Sequence, residues 1–101
     1  MISTKDKVIR NPKVAFRVIE GEAILLTPHN SMIHTFNPIG TVIWSLLDRE
    51  KTISELVNAL IEEYEATHKE AEQDVLKFIE QLYQRKMVLI NDESVEKGAE
   101  D

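Results

Sequence analysis

The sequence predicts an α+β domain of winged-helix-like outline: an N-terminal three-stranded antiparallel sheet, three helices after it and a possible short strand to close. Three observations carry this expectation. β-Branched and aromatic residues cluster between positions 14 and 36 with turn-forming residues between them, apolar residues recur at helical spacing from Ile39 onward, and two Thr-x-x-Glu sequences begin at Thr52 and Thr67. With 101 residues and 43% hydrophobic content the chain suffices for one domain with a real core, and 6% aromatic content makes that core mainly aliphatic.

Each element has its own signal. Residues 14–19 mix Val, Phe and Ile, Glu20-Gly21 supplies a two-residue turn with Gly free to take positive φ, and residues 22–26 return as a second strand. Thr27, Pro28, His29, Asn30 and Ser31 form a turn, after which residues 32–36 make a third short strand. The period then changes. Asn37 caps and Pro38 opens a first helix that runs to about Asp48. Thr52 with Glu55 starts the second, whose apolar face is Ile53, Leu56, Val57, Leu60, Ile61 and Tyr64. Thr67 with Glu70 starts the third, with Ala71, Val75, Phe78 and Leu82 as its central stripe; residues 87–90 close the fold. This divides the chain into a flexible N-terminal segment (1–13), a folded domain (14–90) and a disordered acidic tail (91–101), the tail holding too little apolar content to offset the entropy of ordering it.

Composition excludes several functions. The absence of cysteine removes disulfides, thiol catalysis and Cys-ligated zinc, and suits the cytoplasm. No apolar run reaches the ~20 residues of a membrane span. Twelve basic against eighteen acidic residues give a net charge of −6, which disfavours nucleic acid and anionic lipid. A winged-helix DNA-binding regulator would lead its third helix into the major groove with Arg, Lys, Asn or Gln. Here that leading turn carries Glu70, Glu72 and Asp74. None of the histidines His29, His34 and His68 has the i, i+3 or i, i+4 partner expected of a helical metal pair, so no metal, cofactor or catalytic residue is expected, and Gly40 is read as permitting close helix packing.

What remains is surplus apolar surface. On the third helix Leu76, Ile79 and Tyr83 widen the stripe by roughly a quarter turn. If the third strand lies at the sheet edge beside this helix, its free main-chain groups and the widened shoulder form a groove for an extended peptide. The same shoulder could equally pack on the first strand or on a second copy, as in a structural homodimer.

Several of these residues also form a family pattern. Glu20-Gly21-Glu22-Ala23-Ile24-Leu25-Leu26, the run Phe36-Asn37, Gly40, Ile43-Trp44 and Leu46-Leu47-Asp48, then Thr52, Glu55-Leu56, Leu60 and Tyr64, and Asp74-Val75, Phe78, Leu82 and Lys86-Met87-Val88 resemble the coenzyme PQQ synthesis protein D (PqqD) family over about residues 14–90. The resemblance implies a non-catalytic peptide chaperone and recognition element. It would hold the leader of a ribosomally made precursor peptide and present it to a maturase, often a radical S-adenosylmethionine enzyme. By position the leader would add as a strand to Ser31, Met32, Ile33, His34 and Thr35, with Leu76, Ile79 and Tyr83 as walls. A Cys-Asp-Gly near Leu47-Asp48, common in members of the PQQ pathway, is absent, so a client other than the PQQ precursor is implied. Family members also form dimers in crystals, which makes a homodimer a further expectation.

Overall fold

A computed structural model describes residues 2–26 and 33–91. In chain order its elements are β1 (Lys7–Arg10), β2 (Ala15–Ile19), β3 (Glu22–Leu26), β4 (Ile33–Thr35), α1 (Pro38–Leu46), β5 (Lys51–Thr52), α2 (Ile53–Glu63), α3 (His68–Gln84) and β6 (Val88–Ile90). The α+β class, the three helices and the closing strand are as expected. The turn at 27–31, the first residue of the expected third strand and the acidic tail beyond Asn91 lie outside the described residues.

Local chemistry accounts for the hairpin and the helix starts. Glu20 (φ 51°) and Gly21 (φ 80°) both take positive φ, the pairing that matches the twist of a two-residue hairpin loop. Asn37 Oδ1 accepts the Gly40 N–H at 2.8 Å, with Pro38 in the first turn. Both capping boxes form: Thr52 Oγ1 accepts from Glu55 N at 3.1 Å while Glu55 Oε1 accepts from Thr52 N at 2.8 Å, and Thr67 and Glu70 repeat the exchange at 3.1 and 3.2 Å.

The strands divide into two sheets rather than one. Antiparallel β2-β3-β4 is the meander expected from sequence, and a second sheet has the order β5-β1-β6. β1 falls inside the segment expected to be flexible. Val8 is fully buried and pairs with both Lys51 and Ile90, so the strand is held by partners more than forty and eighty residues away, which local periodicity cannot reveal. Asn91 completes this clamp. Its N–H donates to Lys7 O at 2.7 Å, its Oδ1 accepts from Lys7 N at 2.9 Å, and its Nδ2 donates to Asp6 Oδ1 at 3.2 Å. The Ser3 N–H, and next the Asn91 amide, hold the Asp6 carboxyl below its ordinary value.

The core lies between the sheets and the helices. It is mainly aliphatic, from Leu25, Leu47, Ile53, Leu56, Val75 and Ile79, around a fully buried Trp44 that meets Phe16 and Phe36 edge-on at 5.6 and 5.9 Å. No described helix is long and apolar enough to cross a membrane.

One buried polar residue joins β3 to α1. The Phe36 N–H donates to Ala23 O at 2.9 Å, extending the β3–β4 ladder by one residue. α1 then turns away, and the Ala23 N–H finds the Thr41 hydroxyl at 2.8 Å instead of a strand carbonyl. Thr41→Val keeps the shape but orphans that buried donor, and should lower unfolding free energy by about 1–3 kcal/mol in a urea titration with an unchanged m-value.

Candidate functional site

β4 has a ladder partner on one side only among the described residues: β3. In an antiparallel pair, residues alternate between those that exchange hydrogen bonds with the partner and those whose N–H and C=O point away. The Phe36–Ala23 bond sets the phase. Phe36 and His34 face β3, and the main-chain groups of Ile33 and Thr35 therefore face outward.

Beside this edge lies a groove of about 630 Å³. One side is Ile33, His34 and Thr35; the other is α3, through Asp74, Lys77, Phe78, Gln81 and Arg85. Ile39, Gly40 and Ile43 of α1 form much of the floor, and Leu60, Tyr64 and Ala66 close one end. The floor is apolar and the α3 rim is polar. Phe36 and Phe78 meet edge-to-face at 5.1 Å across the floor. Gly40 lets them approach: a Cβ there would stand 3.2 Å from both Phe36 Cβ and Phe78 Cζ and 3.3 Å from Asn37 Oδ1. This is the close packing expected of that glycine.

The structure brings some of the expected residues to the groove and not others. Ile33, His34 and Thr35 line it; Ser31 and Met32 lie outside the described residues. Leu76, Ile79 and Tyr83 do not line it. Ile79 is fully buried in the core, Leu76 packs partly buried against that core, and Tyr83 is 38% exposed. The reason is helical phase. The buried stripe is Ala71, Val75, Ile79 and Leu82. Measured from Ala71 at ~100° per residue, Leu76 and Tyr83 lie roughly 120–140° round in one sense, whereas Phe78, Asp74 and Gln81 lie roughly 20–80° round in the other. The α3 wall of the groove is thus the opposite shoulder from the apolar one. Its sequence signal is the polar series Asp74, Lys77, Gln81 and Arg85 flanking one aromatic, Phe78.

A second cleft of about 400 Å³ lies beside β1 and Trp44, with Arg10 stacked over Phe16 at 4.6 Å from the ring centre. It borders no free ladder edge of β4. Among the described residues no three His, Asp or Glu side chains are grouped to hold a metal ion. On the sheet's outer face, Leu26 and Ile33 are paired opposite one another and are 44% and 70% exposed.

An open sheet edge across a groove from a helix defines a class of small α+β recognition domains that take an extended chain as an extra strand. Residues 22–88 match the model of the family "Coenzyme PQQ synthesis protein D (PqqD)", and the chain belongs to that family. The fold is similar to that of TbiB1, solved in complex with the TbiA(beta) leader peptide, at 26% identity and a TM-score of 0.74 over 79% of this chain and 93% of that one. It is also similar to the PqqD truncation of Methylobacterium extorquens PqqCD, described as a stand-alone recognition element for ribosomally synthesized, post-translationally modified peptides (22% identity, TM-score 0.73, 88% and 95% covered). A lasso peptide synthetase B1 complexed with its leader peptide shares the fold at 20% identity, with a TM-score of 0.72 and 81% and 96% covered. No curated protein matches the chain.

The Gly40 contact is open to direct test. Gly40→Val should overpack the Phe36–Phe78 contact and cost about 1–3 kcal/mol in thermal or urea unfolding, with displaced Phe78 ring resonances.

Proposed function

We propose that this protein binds the leader segment of a ribosomally made precursor peptide as a strand added to β4, and presents the rest of that peptide to a modifying enzyme without performing chemistry itself. The observation that carries this reading is the one-sided β4 ladder, with the main-chain groups of Ile33 and Thr35 turned toward an apolar-floored groove. The relationship to TbiB1, whose structure holds a leader peptide, supports it.

In this reading main-chain hydrogen bonds at Ile33 and Thr35 set the register of the leader. Alternate leader side chains then enter the groove toward Phe78, Ile39 and Ile43. Affinity comes from burying those side chains, and selectivity from the shape of the floor and the character of the rim. The modifying enzyme is of the radical S-adenosylmethionine kind by family likeness, and the client is a peptide other than the PQQ precursor. The protein works in the cytoplasm, where such precursors are made. The outer sheet face bearing Leu26 and Ile33 is the surface on which a homodimer would form. DNA binding is less well supported, because the leading turns of α3 carry Glu70, Glu72 and Asp74, which would meet phosphate with like charge.

Thr35→Pro separates strand addition from other modes of binding. Proline is tolerated on an edge strand where the N–H faces away from the ladder, so the fold should survive, as judged by circular dichroism. The outward donor is lost and the ring obstructs an incoming chain, so affinity for an extended leader peptide that binds the unaltered protein should fall at least about tenfold in calorimetry. Unchanged affinity in the folded variant would rule out an added strand at β4.

A further inference from the structure

The chain is acidic overall, and the half that contains α3 is the more acidic half, with six basic against thirteen acidic residues over 51–101. The groove does not follow this trend. Of the charged residues on α3 and its cap, Lys77, Arg85 and Asp74 line it, whereas Lys69, Glu70, Glu72 and Glu80 do not. Two permanent cations therefore face one carboxylate along a rim whose surroundings are anionic. Lys77 and Arg85 are both exposed, and neither is engaged in an ion pair with another described residue. Glu72, which could have screened the helix, is turned instead toward His68, 3.9 Å away.

We infer that the groove selects an extended peptide carrying two carboxylates four residues apart with an apolar residue midway between them, the carboxylates meeting Lys77 and Arg85 and the apolar side chain entering the floor. This deepens the leader-binding reading and rests on it. The spacing follows from two rises. Eight residue steps lead from Lys77 to Arg85 at the helix cap, about 12 Å along the axis at 1.5 Å each. Four strand residues cover about 13 Å, and in a strand positions i, i+2 and i+4 share one face. An extended guest lying along α3 can therefore place both carboxylates and the intervening apolar group on the helix side at once. The pairing is at a solvent-exposed rim, so its contribution is to selectivity and to the rate of encounter more than to affinity.

The net charge of the chain argues for the opposite preference, which gives the test its power. If long-range attraction to the −6 charge governed selection, basic peptides would bind better. The test uses three synthetic peptides of about twelve residues that share one alternating extended sequence and differ at two positions, four apart and flanking a leucine, which carry Glu, Gln or Lys. Each is titrated into the full chain, and the backbone amide of Thr35 is followed by NMR. The Glu peptide should bind roughly fivefold to tenfold more tightly than the Lys peptide at low salt, with Gln between them and the spread shrinking as salt is added. Lys77→Glu combined with Arg85→Glu should invert the order, and the Gln peptide, indifferent to the reversal, reports that the groove is still intact. Equal affinities, or a Lys peptide that binds best to the unaltered chain, overturn the charge selection while a shifted Thr35 amide leaves strand addition standing. A Thr35 amide that none of the peptides moves counts against both.

Discussion

The hydrogen bond from Ala23 N to Thr41 Oγ1 decides where the β3–β4 ladder stops. Without it, the Ala23 N–H of β3, which points toward β4 where that strand gives way to α1, would be buried and unpaired, at a cost comparable to a sizeable share of a small domain's stability. With it, the ladder ends at Phe36, α1 is fixed against β3, and the alternation of the strand turns Ile33 and Thr35 outward. The groove inherits its geometry from this junction: Asn37 caps α1, Gly40 follows one turn later, and the missing Cβ at Gly40 leaves room for Phe78 to reach Phe36.

The groove combines an apolar floor with an open edge of hydrogen-bonding groups, and the two serve different ends. Main-chain pairing is indifferent to sequence, so it gives register and a common mode of capture for any extended chain. In the proposed reading the floor and the rim discriminate. Ordering a flexible guest costs conformational entropy, which a few buried side chains must offset, so a groove of this size favours a short, well-chosen segment over a long one. The remainder of a bound precursor would then be free for an enzyme to act on. In the proposed reading the recognition surface is an exposed strand, which carries the usual hazard of unwanted pairing, and the charged rim at Lys77 and Arg85 is one way to limit it.

Much of the fold was legible because its signals are local. The Glu20-Gly21 turn, the Asn37-Pro38 start and the two Thr-x-x-Glu boxes each need only neighbouring residues, and each forms as the chemistry suggests. β1, β5 and β6 were less legible because they depend on one another across most of the chain; Lys7–Arg10 pairs with no strand near it in sequence and has only one fully buried residue, Val8. At the site, the strand side is legible from turn residues and the family pattern, whereas on the helix side the choice of Leu76, Ile79 and Tyr83 rests on apolar content. That criterion fails on α3, since Phe78 and Ile79 are adjacent and either could join the stripe. Burial of Ile79 rather than Phe78 rotates the helix so that its polar shoulder, Asp74 to Arg85, faces β4. A groove wall that must stay in water when empty is better made of such residues than of three large apolar ones.

Amide hydrogen exchange at Ile33 and Thr35, compared with His34 and Phe36 between them and after them, tests the central claim most directly. The account predicts that in the free protein the first two exchange fast and the second two slowly, and that a bound leader protects Thr35 and Ile33 with little change at the others. Thr35 already protected in the free protein, or left exposed with a leader bound at saturation, would contradict it.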